Sequence, residues 1–250
     1  MFAFAFMLSA VSPIAGEVLT YMRSGTDGAE AETIVVYDHR PGEVWVHKSR
    51  TPCTNAAYVV GYLDPGTGQA IRLIGGRLTR ELDQEAFAWL ARDADGVLNA
   101  RLGSEDAAPV FDLAVADRWV LYDFDFSDII AHPPAEIVGH SDLAFDLPLL
   151  LVDGGQPTFE NLGRLNLQYA GTGTLGGLGF IHYIATGTPV GDGEGRFWFG
   201  EDGRLIDAIM PVPNHSGYRD FRLRRIATEH GEAAWLARLA RHWADCPVDD

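Results

Sequence analysis

The sequence predicts a mainly β protein: a curved antiparallel meander of about a dozen strands, half-barrel or barrel-like, with a C-terminal amphipathic helix packed on it. Three observations predict this fold. Apolar and polar residues alternate with a period of two along most of the chain, between turns rich in glycine, proline and aspartate. Several of these segments are apolar on both faces. One helical pattern, apolar along a single stripe, closes the chain.

The 250-residue chain is acidic, with 35 Asp and Glu against 19 Lys and Arg and a formal net charge of -16. Nonspecific binding to nucleic acid requires lysine and arginine to neutralise phosphates. The one short basic run lies at 219–225, so we expect no nucleic-acid partner. No feature of the sequence specifies an oligomeric state.

Residues 1–16 are predicted to be a signal peptide. Their apolar run of about ten residues is too short for a stable membrane span, which needs roughly 20, but it suits the core of a secretion signal. The alternative is a first β-strand, because phenylalanines alternate with alanines at its start. We therefore expect a periplasmic or secreted protein whose residues 17–250 form a single β domain.

The first half of the chain consists of period-two segments joined by turns. The strongest hairpin signals are DPGTG at 64–68 and DADG at 93–96, where glycine and proline supply the backbone geometry of tight turns. The strands predicted in this half are 17–23, 32–38, 43–48, 56–63, 70–78, 85–92, 97–102 and 119–126.

A long proline-containing segment without clear period follows at 127–157, and such stretches often serve as functional or capping loops. Strands resume at 163–170, 178–185, 196–199, 204–210 and 218–226. The helix is predicted over 229–244, capped by Thr228, with Trp235, Leu236, Leu239 and Trp243 on its apolar stripe.

A sheet of this size curls rather than staying flat. Segments 119–126 and 178–185 are apolar on both faces, so both faces need cover. We expect the helix and the 127–157 segment to plug the concave side of the sheet and to leave an apolar pocket between the sheet and these covers.

Three features carry a family resemblance: the leader, the stretch GYLDPGTGQ at 61–69 followed by a strand, and the hairpin GRFWFGEDGRL at 195–205. Over residues 16–226 the layout resembles the lipoprotein-carrier (LolA/LolB-like) half-barrel superfamily and related periplasmic domains of unknown function. The resemblance implies a protein that binds lipids or other apolar molecules.

Cys53 and Cys246 are the two cysteines of the chain. A lone pair in an exported protein predicts one disulfide between them. The alternative is two unrelated buried thiols.

No motif predicts a cofactor or a metal. The glycine-rich run at 171–179 connects strand to strand, so no helix N-terminus follows that would hold a phosphate. The acidic run DFDFSD at 123–128 offers oxygen ligands, but it lacks the glycine and glutamate of a calcium loop. On a strand, Asp123 and Asp125 would share a solvated face.

Histidines and carboxylates that could exchange protons lie in and near the long segment, and the alternative role for them is capping at the surface. They are His132, His140, Asp142 and Asp146.

The residues predicted to bind a ligand lie on or beside the later strands. His215 and Tyr218 follow two prolines at a strand mouth, and with His182 they are the candidate catalytic groups. Asp220 and Arg222 alternate on one strand face and are expected to pair. The predicted ligand-binding residues are Tyr169, Phe180, His182, Tyr183, Trp198, His215, Tyr218, Asp220 and Arg222.

Three functional classes follow. A carrier of an apolar, lipid-like small molecule leads, because apolar lining is plentiful and no catalytic constellation is evident. The alternatives are an enzyme that uses acid–base chemistry in the same cavity and a structural envelope protein. A cavity with convergent polar groups of shifted pKa would favour the enzyme.

Overall fold

A computed structural model describes residues 16–153 and 156–247. Fourteen antiparallel strands form one sheet in the order β8-β7-β6-β5-β4-β3-β2-β1-β14-β13-β12-β11-β10-β9. The strands are β1 (Glu17–Ser24), β2 (Glu32–Arg40), β3 (Glu43–Ser49), β4 (Ala57–Leu63), β5 (Ala70–Leu78), β6 (Gln84–Arg92), β7 (Val97–Leu102), β8 (Phe111–Ala114), β9 (Leu143–Asp153), β10 (Gln156–Leu175), β11 (Leu178–Gly187), β12 (Gly195–Gly200), β13 (Leu205–Met210) and β14 (Phe221–His230).

The sheet is two meanders, β1–β8 and β9–β14, joined where β1 pairs with β14. Irregular register, for example between Thr20 and Tyr21, bends the strands, as β-bulges do. The edge strand β8 approaches β10, the strand next to the opposite edge β9: the rings of Phe111 on β8 and Phe159 on β10 lie 6.5 Å apart. The predicted fold class, a curved antiparallel meander with a C-terminal helix, is confirmed.

The segment between β8 and β9 fills the concave side of the sheet, and we call residues 115–142 the plug. It contains a 3-10 turn (Tyr122–Phe124), helix α1 (Ser127–Ala131) and helix α2 (Ala135–Val138). Its large side chains are almost completely buried in the main hydrophobic core: Trp119, Tyr122, Phe124, Phe126 and Ile130.

The prediction of a strand over 119–126 is therefore wrong. Asp125 and Phe126 both have left-handed backbone angles, with φ of 56° and 58°, which turn the chain away from an extended path. The aromatic run is apolar on all sides because sheet surrounds it. Part of the predicted irregular segment 127–157 is the edge strand β9.

Helix α3 (Glu232–Trp243) packs on the outer, convex face of β1–β5. It does not lie on the concave side as predicted, because the plug fills that side. Leu236, predicted on the apolar stripe, is 42% exposed. The indole of Trp235 lies 5.6 Å from the rings of both Tyr37 and Tyr58, centroid to centroid. The helix begins later than predicted because β14 runs on to His230 and Gly231, with φ of 85°, makes the break. Thr228 lies within β14 and does not cap the helix.

A disulfide joins Cys53, in the loop after β3, to Cys246, just beyond α3, with the Cα atoms 5.3 Å apart. This confirms the predicted pairing. The plug covers the inner face of the sheet and α3 covers part of the outer face, so a strand between them can be apolar on both faces. On β2, Val36 faces the plug and Val35 faces α3.

None of the helices in the described ranges is long and apolar enough to cross a membrane. The predicted signal peptide lies almost wholly outside those ranges, which begin at Gly16.

Candidate functional site

The predicted ligand-binding residues of β10–β12 do not line one pocket, because they lie on opposite faces of the sheet. Tyr183 is fully buried inside, where its hydroxyl oxygen lies 3.1–3.3 Å from carbonyl oxygens of Glu136, Ile137 and Ser141 and holds the end of α2. Neighbouring residues of a strand alternate between faces.

Phe180, His182 and Trp198 are therefore on the outer face, partly exposed. The His182 and Trp198 rings stack there at 5.1 Å. Tyr169 is 37% exposed and stacks on His140.

Tyr218 lies at one end of the barrel, beside the plug. It is buried, its hydroxyl donates to the carbonyl of Glu30 at 2.7 Å, and the Arg23 guanidinium lies 4.8 Å from its ring centroid. His215 is exposed nearby. Partial burial, with a contribution from Arg23, lowers the pKa of His215.

The expected Asp220–Arg222 pair is not formed. Asp220 accepts a hydrogen bond from the backbone N–H of Thr26 at 2.8 Å. Arg222 instead pairs with Asp207 on the adjacent strand β13, at 2.8 Å. The period-two pattern around β14 therefore did not predict the partner of Arg222, because the neighbouring strand β13 places the carboxylate of Asp207 closer to it.

The other residues predicted to exchange protons do not form one group, because each contacts a different part of the chain. Asp142 accepts from the backbone N–H of Tyr169 at 2.8 Å, and Asp146 accepts from that of Ala116 at 2.9 Å. His132 is partly buried, which lowers its pKa. Among the described residues, no group of three or more His, Cys, Asp or Glu is placed to hold a metal ion.

A buried charge network ties the plug to the first three strands. Asp125, in the plug, is completely buried. Its Oδ1 lies 3.2 Å from Arg23 Nη1 on β1 and accepts from Asn214 Nδ2 at 2.7 Å, while its Oδ2 lies 2.6 Å from Lys48 Nζ on β3. Arg23 also pairs with Glu32 on β2. Each buried charge thus has a partner, as burial requires.

The pKa values of two plug carboxyls are shifted in opposite directions. Burial acts to raise the pKa of Asp125, but Lys48 and Arg23 outweigh it and hold this pKa below its usual value. Burial raises the pKa of Asp123 to about 6, and Lys48 only partly offsets it. Lys48 Nζ also donates to the backbone carbonyl of Asp123. The carboxyl of Asp123 accepts one weak hydrogen bond, from the N–H of Leu150 at 3.4 Å.

A cavity of about 90 Å³ lies beside this network, between the inner faces of β3–β7, the plug and β9. Small inward residues on β5–β7 leave the space: Gly75, Ala88 and Ala100. Leu73 and Leu90 contribute to its apolar wall. Its charged lining residues are Lys48 and Asp123, beside the plug, and Arg101 on β7.

The cavity is smaller than the predicted acyl-chain pocket. A cavity of about 150 Å³ holds benzene, which is about 25 Å³ per carbon, so eight carbons need about 200 Å³. The aromatic side chains of the plug occupy the volume that the sheet alone would leave open. The space that remains suits about three to four non-hydrogen atoms.

Sequence reasoning missed Lys48, although two signals point to it. It is the only lysine of the chain, and it alternates in phase with Val44 and Val46, which face the core. A lysine on the buried face of a strand requires a buried anion. Asp125, which the sequence predicts on a solvated strand face together with Asp123, is that anion.

The chain matches no family model, and no curated protein matches it. Among solved structures, it is similar to the beta-barrel-like protein of domain of unknown function DUF1849 from Brucella abortus. The sequences are 9% identical and the TM-score is 0.43, over 87% of this chain and 99% of that chain. The fold established here is a curved, barrel-like antiparallel sheet with a plugged interior, and the resemblance to lipoprotein carriers stays a prediction.

Proposed function

We propose that this chain is a binding protein that holds the apolar part of a small molecule in the 90 Å³ cavity between β3–β7 and the plug. The observation that supports it is an apolar cavity with two charged groups beside the plug, Lys48 and Asp123, and a third, Arg101, on β7. Binding sites of small molecules combine such apolar walls with a few placed polar groups.

The ligand is a small molecule, or a larger molecule of which only one end enters the cavity. The plug would have to leave its place to admit a whole acyl chain, and it is held there by buried contacts. Arg204, almost fully buried, pairs with Glu17 and Asp38 on the sheet and donates to the carbonyls of Ile130 and Ala131 in the plug. Lipid carriage of the kind that the family resemblance implies therefore requires a rearrangement of this network.

Asp123 favours a second candidate, an enzyme with acid–base chemistry. A carboxyl with a pKa of about 6 that faces a cavity can exchange protons near neutrality. Binding ranks first because the neighbouring Lys48 is held in an ion pair with Asp125, and His215, Tyr218 and His182 do not line the cavity.

We also propose export to the periplasm or outside the cell, with removal of residues 1–16. The disulfide supports this location, because disulfides form and persist in oxidising compartments. Sequencing the N-terminus of protein recovered from its source cells should place it near Glu17. An intact Met1 would contradict export with cleavage.

Native mass spectrometry of the protein purified from its source tests the binding proposal. We expect a bound small molecule, and its loss in Ala100→Leu, which adds three carbons at the cavity wall. The control is Ala86→Leu, at an exposed position on β6. Equal ligand occupancy in both variants would refute the assignment to this cavity.

A further inference from the structure

We propose that the polar group recognised in the cavity is a neutral hydroxyl on a short apolar stem, rather than a carboxylate or an ammonium. This inference rests on the proposed binding function and names the chemistry of the ligand. It follows from what Lys48 and Asp123 together offer to the cavity.

Lys48 offers hydrogen-bond donors. An ammonium has three N–H donors and no acceptor. One is directed to the carbonyl of Asp123, and the ammonium forms an ion pair with Asp125, 2.6 Å from its Oδ2. A remaining donor is available to a ligand, because Lys48 lines the cavity. A ligand that meets this group must present an acceptor, so an ammonium ligand would bring two like charges together.

Asp123 offers the complementary acceptor. Its carboxyl lines the cavity, and its one hydrogen bond from Leu150 is long, at 3.4 Å. With a pKa of about 6, raised by burial, it is mostly ionised at pH 7.5 and therefore accepts without donating. A ligand group must donate to it, which a carboxylate cannot do.

The charges around the cavity balance, which suits a neutral ligand group. Three cations, Arg23, Lys48 and Arg101, stand around it with three carboxyls, those of Glu32, Asp123 and Asp125. With all three carboxyls ionised the group has no net charge. A hydroxyl satisfies the site without adding charge, since it donates to Asp123 and accepts from Lys48.

The size of the cavity limits the stem. At about 25 Å³ per atom, 90 Å³ holds a hydroxyl with about three carbons. Propan-1-ol, propionate and propylamine are therefore matched probes that differ chiefly in their polar group. Leu73, Leu90 and Ala100 present apolar surface to the stem.

The test uses the full chain with ¹³C-labelled alanine methyls at pH 7.5. Ala100 reports on the cavity, and Ala185, buried on β11, reports on the fold elsewhere. We expect propan-1-ol to shift the Ala100 signal saturably, with Ala185 unmoved. Propionate and propylamine should bind at least about tenfold more weakly, because each places like charges together.

The variant Asp123→Asn tests whether the negative charge of Asp123 weakens the binding of propionate relative to propan-1-ol. The amide keeps an acceptor and adds a donor, so propan-1-ol should still bind, while the disadvantage of propionate should shrink to less than about threefold. Propionate or propylamine binding the unaltered protein as tightly as propan-1-ol would overturn this inference alone. If none of the three probes shifts Ala100, the binding function itself fails at this cavity.

Discussion

Asp128, on the first turn of α1, is a buried carboxyl to which the described part of the chain brings no counter-charge, and replacing it should stabilise the protein in a pH-dependent way. It is 2% exposed, and its Oδ1 accepts from the N–H of Ile129 at 2.9 Å. Burial raises its pKa from 3.8 to about 7, and the Ile129 hydrogen bond only partly opposes this. Asp128→Asn keeps a side-chain oxygen for that bond and removes the ionisation.

The direction of this pH dependence follows from the protons that the folded and unfolded chains bind. Between pH 3.8 and about 7 the unfolded chain has released the Asp128 proton and the folded chain still holds it, so the stability of the native protein falls as pH rises. Each pKa unit corresponds to about 1.4 kcal/mol, which gives an upper value of about 4 kcal/mol across the window. The free energy of unfolding of the variant, relative to native, should rise with pH and level off above pH 7.

Urea denaturation of both proteins at pH 4.5, 6 and 8 measures this difference. Effects of other titrating groups are shared by the two proteins and cancel to first order. Asp106→Asn, at an exposed loop position, controls for the loss of one carboxyl and should show no such trend. A difference between Asp128→Asn and native that stays flat or falls from pH 4.5 to 8 would refute the reasoning.

Three further predictions concern the contacts that hold plug and helix. Replacing Cys53 and Cys246 by serine opens a loop spanning 193 residues and should lower the free energy of unfolding by up to about 5 kcal/mol in the chain-entropy model. An unchanged denaturation midpoint would contradict it. Trp235→Ala empties a fully buried site beneath α3 and should cost about 3–5 kcal/mol, measured against the exposed Leu236→Ala. Arg204→Met leaves two largely buried carboxylates unpaired, so it should destabilise by about 3–5 kcal/mol and speed hydrogen exchange in α1 more than in β11–β12. Uniform exchange would argue against a specific anchor for the plug.

The strands and the pairings between strands consecutive in the chain could be predicted to a large extent, because their signals are local. The pairing of β1 with β14, which joins the two meanders, could not. Period-two patterns and glycine turns placed all of the strands except β8 and β9. Both are edge strands: β8 has four residues, and β9 carries a proline within an apolar run. The disulfide was also predictable, since two cysteines allow one pairing.

The functional site could not be predicted in the same way. Arg23 and Asp125 are 102 residues apart in sequence, and Asp125 and Asn214 are 89 apart. Each taken alone reads as an ordinary surface residue. Only the return of the plug into the barrel places their side chains in contact.

The sequence by itself therefore determined an acidic antiparallel sheet that must curl, a helix that packs on a face of that sheet and a cysteine pair to fasten that helix. The tertiary structure alone decided what occupies the concave face and which charges meet there. The physical reason is that backbone alternation and turn geometry act between neighbours in the chain. Hydrophobic burial has no direction, so the aromatic run 119–126 satisfies it equally well as a strand or as a plug, and the surrounding sheet selects the plug.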